Sequence, residues 1–217
     1  EAVDLSEDAV LTEDESGNAG ELVIGGRTIL VRYRRSFMSR LIQTTEKNQD
    51  YYTVIKNALT SYKKVKSRLS WGCETYNKGR LQLAKVNVKG KTLVLYLALN
   101  PADYLDTKYR FTDVSEKTKF AKVPMMLKIR SDRALKYALE LIADMMQKNE
   151  IAYGVEQTAD YRLPYETTEA LIRRKLVKLL IPADEALAEE EAPAEEIPVE
   201  ETPVEEAPVE ETPAEEE

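Results

Sequence analysis

The stretch from Leu81 to Asn100 constrains the fold of this chain most strongly, because it holds two β-rich apolar segments in close succession. The segments Leu81–Val88 and Thr92–Leu99 flank Lys89-Gly90-Lys91, and glycine can take the positive φ that a tight reversal needs. A β-hairpin is therefore predicted. The second segment is apolar on both pleat faces, which is typical of a central strand covered on both sides. Periodicity alone leaves a buried helix open.

The charges of the chain are divided into three blocks. All 31 Lys and Arg residues lie between Arg27 and Lys178, where 15 acidic residues leave a net charge of +16. Residues 1–26 hold eight acidic residues, the residues after Lys178 hold sixteen, and neither segment has Lys or Arg. The overall charge of −8 thus describes a basic body between two acidic tails. Such blocks indicate solvated tails and a body that favours polyanions or its own tails.

Two residue counts limit the available chemistry. Cys73 is the single cysteine of the sequence, so no intramolecular disulfide or cysteine-based metal cluster can form, and a semi-buried structural residue is predicted. Histidine is absent, which removes the usual neutral-pH proton carrier, the histidine-based nucleophile schemes and most zinc sites. No P-loop, dinucleotide-binding glycine pattern or metal-ligand spacing occurs. We therefore predict no cofactor, no metal, no catalytic residues and a protein that is not an enzyme.

Two main helices are predicted from apolar residues at helical spacing. The first follows a capping Thr44 or Thr45 and runs to about Lys63. The second, Asp132–Lys148, follows the capping residue Ser131, and its end charges agree with the helix dipole. Shorter helical segments are predicted at 37–43 and 166–175.

Alternation and β-rich composition predict the strands. Val65–Trp71 alternates apolar residues with Lys66, Arg68 and Ser70, which is typical of a half-buried strand with a basic outer face. Thr28–Tyr33 is predicted as an edge strand that enters the domain. Residues 74–78 are predicted as a turn or short strand, and further strands are predicted at 109–114 and 123–130. Residues 176–181 form either a last strand or a continuation of the final helix.

These elements predict three regions. Residues 1–26 are assigned to an acidic flexible head, in which a first short strand beginning near Glu21 is an alternative, and 27–181 to a basic α+β domain. Residues 182–217 are assigned to a disordered tail, because from Ala192 a proline recurs every five residues among paired glutamates. The domain is predicted as one antiparallel sheet of four to six strands packed against the two main helices. Strands bunched at 65–99 without regular βα alternation argue against a parallel doubly wound sheet.

Basic residues give the strongest functional signal. Residues 27–91 hold 16 Lys and Arg against three acids, with tyrosines and Trp71 interleaved. If the strand faces that hold Lys66, Arg68, Lys85 and Lys91 coincide, a basic sheet surface with aromatic flanks could follow a phosphate backbone and stack unpaired bases. An ordinary solvated lysine-rich face is the alternative. The predicted anion-binding residues are Lys64, Lys66, Arg68, Lys78, Arg80, Lys85, Lys89 and Lys91.

Several segments, among them SYKKVKSR at 61–68 and the NKGR…GKTL hairpin, resemble a family of uncharacterised bacterial proteins over roughly 31–180. Members of that family often carry acidic or proline-rich low-complexity flanks. The family has no activity to carry over, so the resemblance implies the domain boundaries and nothing about catalysis.

Two functions remain open from the sequence. The first is a non-enzymatic binding module whose basic face takes a polyanion, preferably nucleic acid, while the acidic tails compete for that face. The second is a protein-interaction or scaffold domain with the tails as spacers. No apolar run reaches the roughly 18–20 residues of a membrane span, and the lack of disulfides favours the cytoplasm. The start at Glu1 rather than Met is typical of a processed or excised fragment, and the sequence does not set the oligomeric state.

Overall fold

The protein has an α+β fold of antiparallel sheets and two main helices, as predicted. The structure is a computed structural model that describes residues 10–13, 19–24 and 26–180. The strands in this part of the chain are β1 (Val10–Glu13), β2 (Ala19–Ile24), β3 (Arg27–Arg35), β4 (Val65–Leu69), β5 (Glu74–Lys78), β6 (Leu81–Lys89), β7 (Thr92–Leu97), β8 (Thr112–Asp113), β9 (Met125–Ile129) and β10 (Val177–Leu180). The helices are α1 (Phe37–Ile42), α2 (Glu46–Thr60), α3 (Asp132–Lys148) and α4 (Thr168–Arg173), with 3-10 turns at Pro101–Tyr104 and Thr118–Phe120. The predicted tail, 182–217, lies outside the described residues.

The larger sheet contains six strands in the order β4-β5-β6-β7-β9-β8, and each neighbouring pair is antiparallel. Strands β6 and β7 form the predicted hairpin, in which Lys89 pairs with Thr92 and Gly90 has a φ of 55°. Strand β7 lies between β6 and β9. Leu95 on one of its faces and Tyr96 on the other are both fully buried. The prediction of a strand covered on both sides is therefore confirmed.

Helices α2 and α3 cover one face of this sheet. The hydroxyls of Thr45 and Ser131 cap them by accepting the backbone N–H of Asn48 and Ala134, respectively. These two helices form the main core together with the sheet. The residues that α2 and α3 contribute to it are Tyr51, Tyr52, Ile55, Leu59, Ala138, Leu141, Ile142, Met145 and Met146. Apolar burial on this scale is the principal driving force for folding. Because α2 and α3 cover one face of the sheet, only the opposite face remains for other contacts.

A second sheet, which the sequence does not predict, has the strand order β1-β2-β3-β10. Strand β3 pairs with β2 on one side and with β10 on the other, so the prediction of an edge strand at Thr28–Tyr33 is wrong. Leu179 of β10 pairs with Tyr33. These strands share a small core with Ile42 of α1 and Leu171 of α4. Strand β3 is internal to its sheet because β10, which contributes buried residues to this small core, pairs with it on one side.

The structure also places part of the first 26 residues in the domain, where a flexible head is predicted. Strand β1 pairs with β2, and β2 pairs with β3. Leu22 is only 1% exposed and belongs to the same small core as Val31 and Leu179. The neighbouring residue Glu21 is exposed on the opposite face of β2. The acidic composition of this segment therefore does not indicate that it contains a strand. The domain therefore begins before Arg27.

Strand β4 is less buried than the alternation of its sequence predicts. Val65 is buried, but the following residues are exposed, and the side chain of Leu69 is 51% exposed. Because β4 lies at the edge of the six-stranded sheet, only its first residue joins the main core. The strand and its basic face are therefore confirmed over Val65–Leu69, but the prediction that it is half-buried is wrong for residues 66–70.

Gly154 lies where the chain that follows α3 crosses the end of α2. Its N–H donates to the carbonyl of Ser61 at 2.8 Å, next to a β-bridge between Tyr62 and Tyr153. A Cβ built on Gly154 would lie 2.8 Å from the same Ser61 oxygen, which is closer than real Cβ atoms approach. The crossing therefore requires a residue without a side chain.

We expect Gly154→Ala to lower the free energy of unfolding by about 1–3 kcal/mol, because either the backbone or the Ser61 contact must shift. Urea denaturation measures this change. Gly72→Ala is the matched control, since a Cβ at Gly72 meets nothing within 4 Å. Equal losses of stability in the two variants would contradict the packing argument.

Candidate anion-binding surface

The face of the six-stranded sheet that points away from α2 and α3 carries several of the predicted cations. Residues paired across antiparallel strands point to the same face, and successive residues alternate. Glu74 and Tyr76 of β5 are buried on the helix side, so Thr75 and its partners Arg68 and Lys85 point to the other side. We call this surface the outer face, and its residues are Lys66, Arg68, Thr75, Asn77, Gln82, Lys85, Asn87, Lys89, Thr92, Val94, Tyr96, Met126 and Lys128.

The structure separates the eight predicted anion-binding residues into three groups. Four lie on the outer face, namely Lys66, Arg68, Lys85 and Lys89. Three lie at the end of the sheet where β5 turns into β6, namely Lys64, Lys78 and Arg80. Lys91 lies in the turn at the opposite end of β6, outside the paired strands, so it does not share a strand face with Lys66, Arg68 and Lys85. Half of the eight predicted residues therefore lie on one common surface.

The four predicted cations on the outer face have no acidic partner in the part of the chain that the structure describes. No carboxylate oxygen there lies within 4.0 Å of their side-chain nitrogens. Arg68 and Lys85 stand in one row across β5. A two-strand separation of about 10 Å is comparable to the screening length of physiological salt. The positive potentials of these side chains therefore add.

The loop around the 3-10 turn Thr118–Phe120 covers part of the outer face. The ring of Phe120 stacks on Tyr96, with centroids 4.3 Å apart and planes 6° apart. The Nζ atoms of Lys85 and Lys89 lie 5.3 and 5.7 Å from the centroid of Phe120. Lys85 also donates to the carbonyl of Lys119 at 3.1 Å. Cation–π contacts and this hydrogen bond hold two of the four cations at the border of the covered area.

The aromatic residues among the predicted cations do not flank the outer face, which corrects the prediction of a stacking surface. Four of them are between 0% and 8% exposed, namely Tyr33, Tyr51, Tyr52 and Tyr76. Trp71 and Tyr62 are half-buried, and they contact Lys178 and Tyr153, respectively. Large rings contribute more to stability when they are buried, and the cores of this domain use them. The outer face therefore offers charge and hydrogen bonding, without exposed rings for bases.

Cys73 is half-buried, as predicted, and its thiol is free. Its thiol lies 3.5 Å from the hydroxyl of Ser70. Burial raises the pKa of the nearby Tyr96 hydroxyl, the thiol raises it further, and Lys119 lowers it. No described residue forms a hydrogen bond with that hydroxyl.

Glu74 forms a buried polar cluster that the sequence does not reveal. Its carboxylate is 1% exposed and accepts hydrogen bonds from the hydroxyls of Tyr52 and Tyr76 at 2.5 and 2.9 Å. The ammonium group of Lys56 donates to the other carboxylate oxygen at 2.7 Å and lies 4.4 Å from the ring centroid of Tyr161. Burial, reinforced by the charge of Glu74, raises the pKa of both tyrosines. The segment around Glu74 has the composition of a turn, so nothing in it marks a buried carboxylate.

A second basic feature lies beside β9. It is a groove of about 600 Å³ between β9, the segment before β8 and the first turns of α3. We call it the basic groove, and its charged lining residues are Lys108, Arg110, Lys128, Arg130 and Arg133. The sequence does not predict this group, because its members come from two segments, 108–110 and 128–133, that are distant in the sequence.

A third feature is a cleft of about 650 Å³ between α2, α3 and residues 153–162. Its lining includes Asp50, Asp160 and Arg162. Hydrogen bonds from the side chain and backbone of Arg162 lower the pKa of Asp160 to about 2. Because its arginine is bound to carboxylates, this cleft is less suited to an anionic ligand than the other two surfaces.

Within the described ranges, no three His, Cys, Asp or Glu side chains are grouped so that they could hold a metal ion. In the same part of the chain, no helix combines the length and apolar character needed to cross a membrane. No family model matches the chain, and no curated protein or solved structure matches it either. The resemblance to an uncharacterised bacterial family therefore stays a prediction, and function has to be argued from the surfaces described above.

Proposed function

We propose that the protein binds an anionic polymer, preferably nucleic acid, through the outer face. The observation that carries this proposal is that the four predicted cations on that face, Lys66, Arg68, Lys85 and Lys89, have no carboxylate within 4.0 Å in the described residues. Side chains of this kind displace the counterions that are condensed on a phosphate backbone, and this release drives association.

The composition of the outer face favours contacts to phosphates over contacts to bases. Thr75, Asn77 and Gln82 lie between the cations and can donate hydrogen bonds to phosphate oxygens. The rings of Tyr96 and Phe120 are buried and stack on each other, so they support no stacking with bases. We therefore expect binding with little sequence preference.

Binding of the full-length chain to fluorescently labelled duplex DNA tests this proposal. Four phosphate contacts predict a salt slope near −3.6, so the affinity falls about 100-fold between about 50 and 200 mM salt. Fluorescence anisotropy measures the dissociation constant at each salt concentration. Absence of binding at about 50 mM salt would refute the proposal.

The variant Lys66→Glu/Arg68→Glu identifies the surface. Both side chains are exposed on an edge strand, so the fold is retained. We expect weaker binding and a salt slope smaller by about 2. Lys136→Glu, which changes the net charge by half as much, is the control, since Lys136 is exposed on α3, on the opposite side of the sheet. A change in log affinity half as large as that of the double variant, or larger, would show that net charge, rather than the outer face, determines binding.

The acidic tails enter the proposal through their charge. Removal of residues 183–217 deletes sixteen acids and no Lys or Arg, so the net charge changes from −8 to +8. A chain that ends at Pro182 is therefore expected to bind DNA more tightly than the full chain. Equal affinities would remove the tails from the proposed mechanism and leave the outer face as its basis.

A protein partner is the alternative function, and the edge position of β4 favours it. In the described sheet β4 pairs with β5 alone, and Leu69 is exposed. An unpaired strand edge is a common docking site for another chain. Salt distinguishes the two functions, because an interface formed by backbone pairing and apolar contact depends on salt much less than phosphate binding does.

A further inference from the structure

The basic groove lies between two extended segments that diverge. Strand β8 pairs with β9 at Thr112–Met126 and Asp113–Met125, and the register ends there. Residues 108–112 form one wall of the groove, and the six consecutive residues 126–131 form the other. Successive side chains of a strand point to opposite faces, so the surface that consecutive residues share is their backbone edge. The groove therefore exposes the edge of β9.

Lys128 carries the free backbone groups of this edge. The N–H of Val114 donates to the carbonyl of Pro124 at 2.9 Å, which shows that Pro124 faces β8. Alternate residues of a strand direct their backbone groups to the same side, so Met126 and Lys128 face that side as well. Met126 pairs with Thr112, whereas no described residue pairs with Lys128 there. One N–H and one carbonyl therefore point into the groove.

The charged side chains around this edge are all basic. Among the residues that the structure describes, no Asp or Glu lines the groove. Lys108 is bound to Glu140 at 2.6 Å, but no carboxylate within the described residues lies within 4.0 Å of the other four. Those four are Arg110, Lys128, Arg130 and Arg133. Three of them are arginines, whose planar fork suits carboxylates.

We propose that the basic groove binds an extended acidic segment of a partner protein, which pairs with β9 as an added strand. Backbone hydrogen bonds to Lys128 hold the segment. The side chains of the segment point alternately to the two faces of the sheet and contact the residues on each face. Carboxylates on the outer face meet Lys128 and Arg130, while apolar side chains on the helix face meet Tyr137 and Ala134 of α3. The expected motif alternates acidic and apolar residues. This site shares Lys128 with the outer face, but Arg110, Arg130 and Arg133 belong to the groove alone, so variants of these arginines test it separately from the proposed function.

A fluorescein-labelled peptide of alternating glutamate and valine, about seven residues long, tests the site with the full-length chain. We expect saturable binding in fluorescence anisotropy and at least about tenfold weaker binding of the peptide with glutamine in place of glutamate. In two further peptides every second amide is N-methylated, and the amides methylated in one peptide are those left free in the other. We call these two arrangements the two phases. Only one phase blocks strand pairing, so one peptide should bind and the other should not. Equal binding of the two phases would overturn strand addition.

Variants locate the binding on the protein. Arg130→Glu and Arg133→Glu are each expected to weaken peptide binding about tenfold. Lys136→Glu is the matched control, because Lys136 lies near Arg133 on α3 but does not line the groove. Inorganic phosphate and single-stranded DNA serve as competitors. Unchanged binding by the two arginine variants, or displacement of the peptide by phosphate at equal concentration, would overturn the proposal.

Discussion

Replacement of Glu74 by alanine is expected to lower the free energy of unfolding by about 3–5 kcal/mol, because it leaves buried donors without their acceptor. Three groups lose their partner, namely the hydroxyls of Tyr52 and Tyr76 and the ammonium of Lys56. Lys56 is itself largely buried, with its side chain 16% exposed, so its charge cannot be compensated fully by water. Urea denaturation at neutral pH measures the loss.

Two further variants distinguish the loss of the buried charge from the loss of side-chain volume and from the loss of an ordinary surface ion pair. Glu74→Gln keeps an oxygen that can accept hydrogen bonds but removes the charge, so we expect an intermediate loss. Glu140→Ala removes a carboxylate that also binds a lysine and a tyrosine, Lys108 and Tyr109, but at the surface. That change is expected to cost much less than Glu74→Ala, because ion pairs at the surface contribute little to stability. A cost for Glu74→Ala no larger than that for Glu140→Ala would contradict the burial argument.

The same cluster predicts that the protein loses stability at alkaline pH. Burial and the Glu74 charge hold the pKa of Tyr52 and Tyr76 above the usual value, so these hydroxyls stay protonated in the folded chain when they ionise in the unfolded chain. Their stabilising effect is complete below about pH 10, the pKa of an unperturbed tyrosine. Above it the unfolded state binds fewer protons than the folded state. Stability therefore falls as pH rises, by about 2.7 kcal/mol per pH unit for two tyrosines.

Urea denaturation between about pH 8 and pH 12 measures this dependence, and the ultraviolet absorbance of tyrosinate shows when the hydroxyls ionise. Tyr52→Phe is expected to halve the slope that the two residues contribute. Tyr165→Phe is the control, because Tyr165 is 69% exposed. Coincident titration of tyrosines in the folded and urea-unfolded chain would contradict the prediction.

The elements that the sequence predicts correctly are those defined by local patterns. The apolar spacing and end caps of α3 predict its bounds as observed, and Gly90 predicts the reversal between β6 and β7. The four-stranded sheet could not be predicted in this way, because Tyr33 pairs with Leu179, far away in the sequence. Strands β1 and β10 are also short, with four residues each, and the strands of this sheet carry charged residues, so they lack a clear apolar pattern. Pairing between distant segments is decided by the tertiary core.

The candidate site was predicted only in part for a related reason. Alternation within β4 is enough to place Lys66 and Arg68 on one face. The position of Lys85 beside them depends on the β-bulge between β5 and β6, at Tyr76 and Asn77, which shifts the register. The open edge at Lys128 depends on where the β8–β9 pairing stops. Register and its interruptions are tertiary features, and the residue types alone do not specify them.

The pairing of β3 with β10 gives the domain an order of completion during synthesis. The strands of the six-stranded sheet all lie between Val65 and Ile129, so they are present before the chain is finished. The four-stranded sheet is incomplete until Val177–Leu180 has been synthesised, because β10 occupies one side of β3. Contacts over so long a separation also form slowly. A chain that stops before Val177 therefore leaves one side of β3 unpaired, and two such chains can associate through this edge.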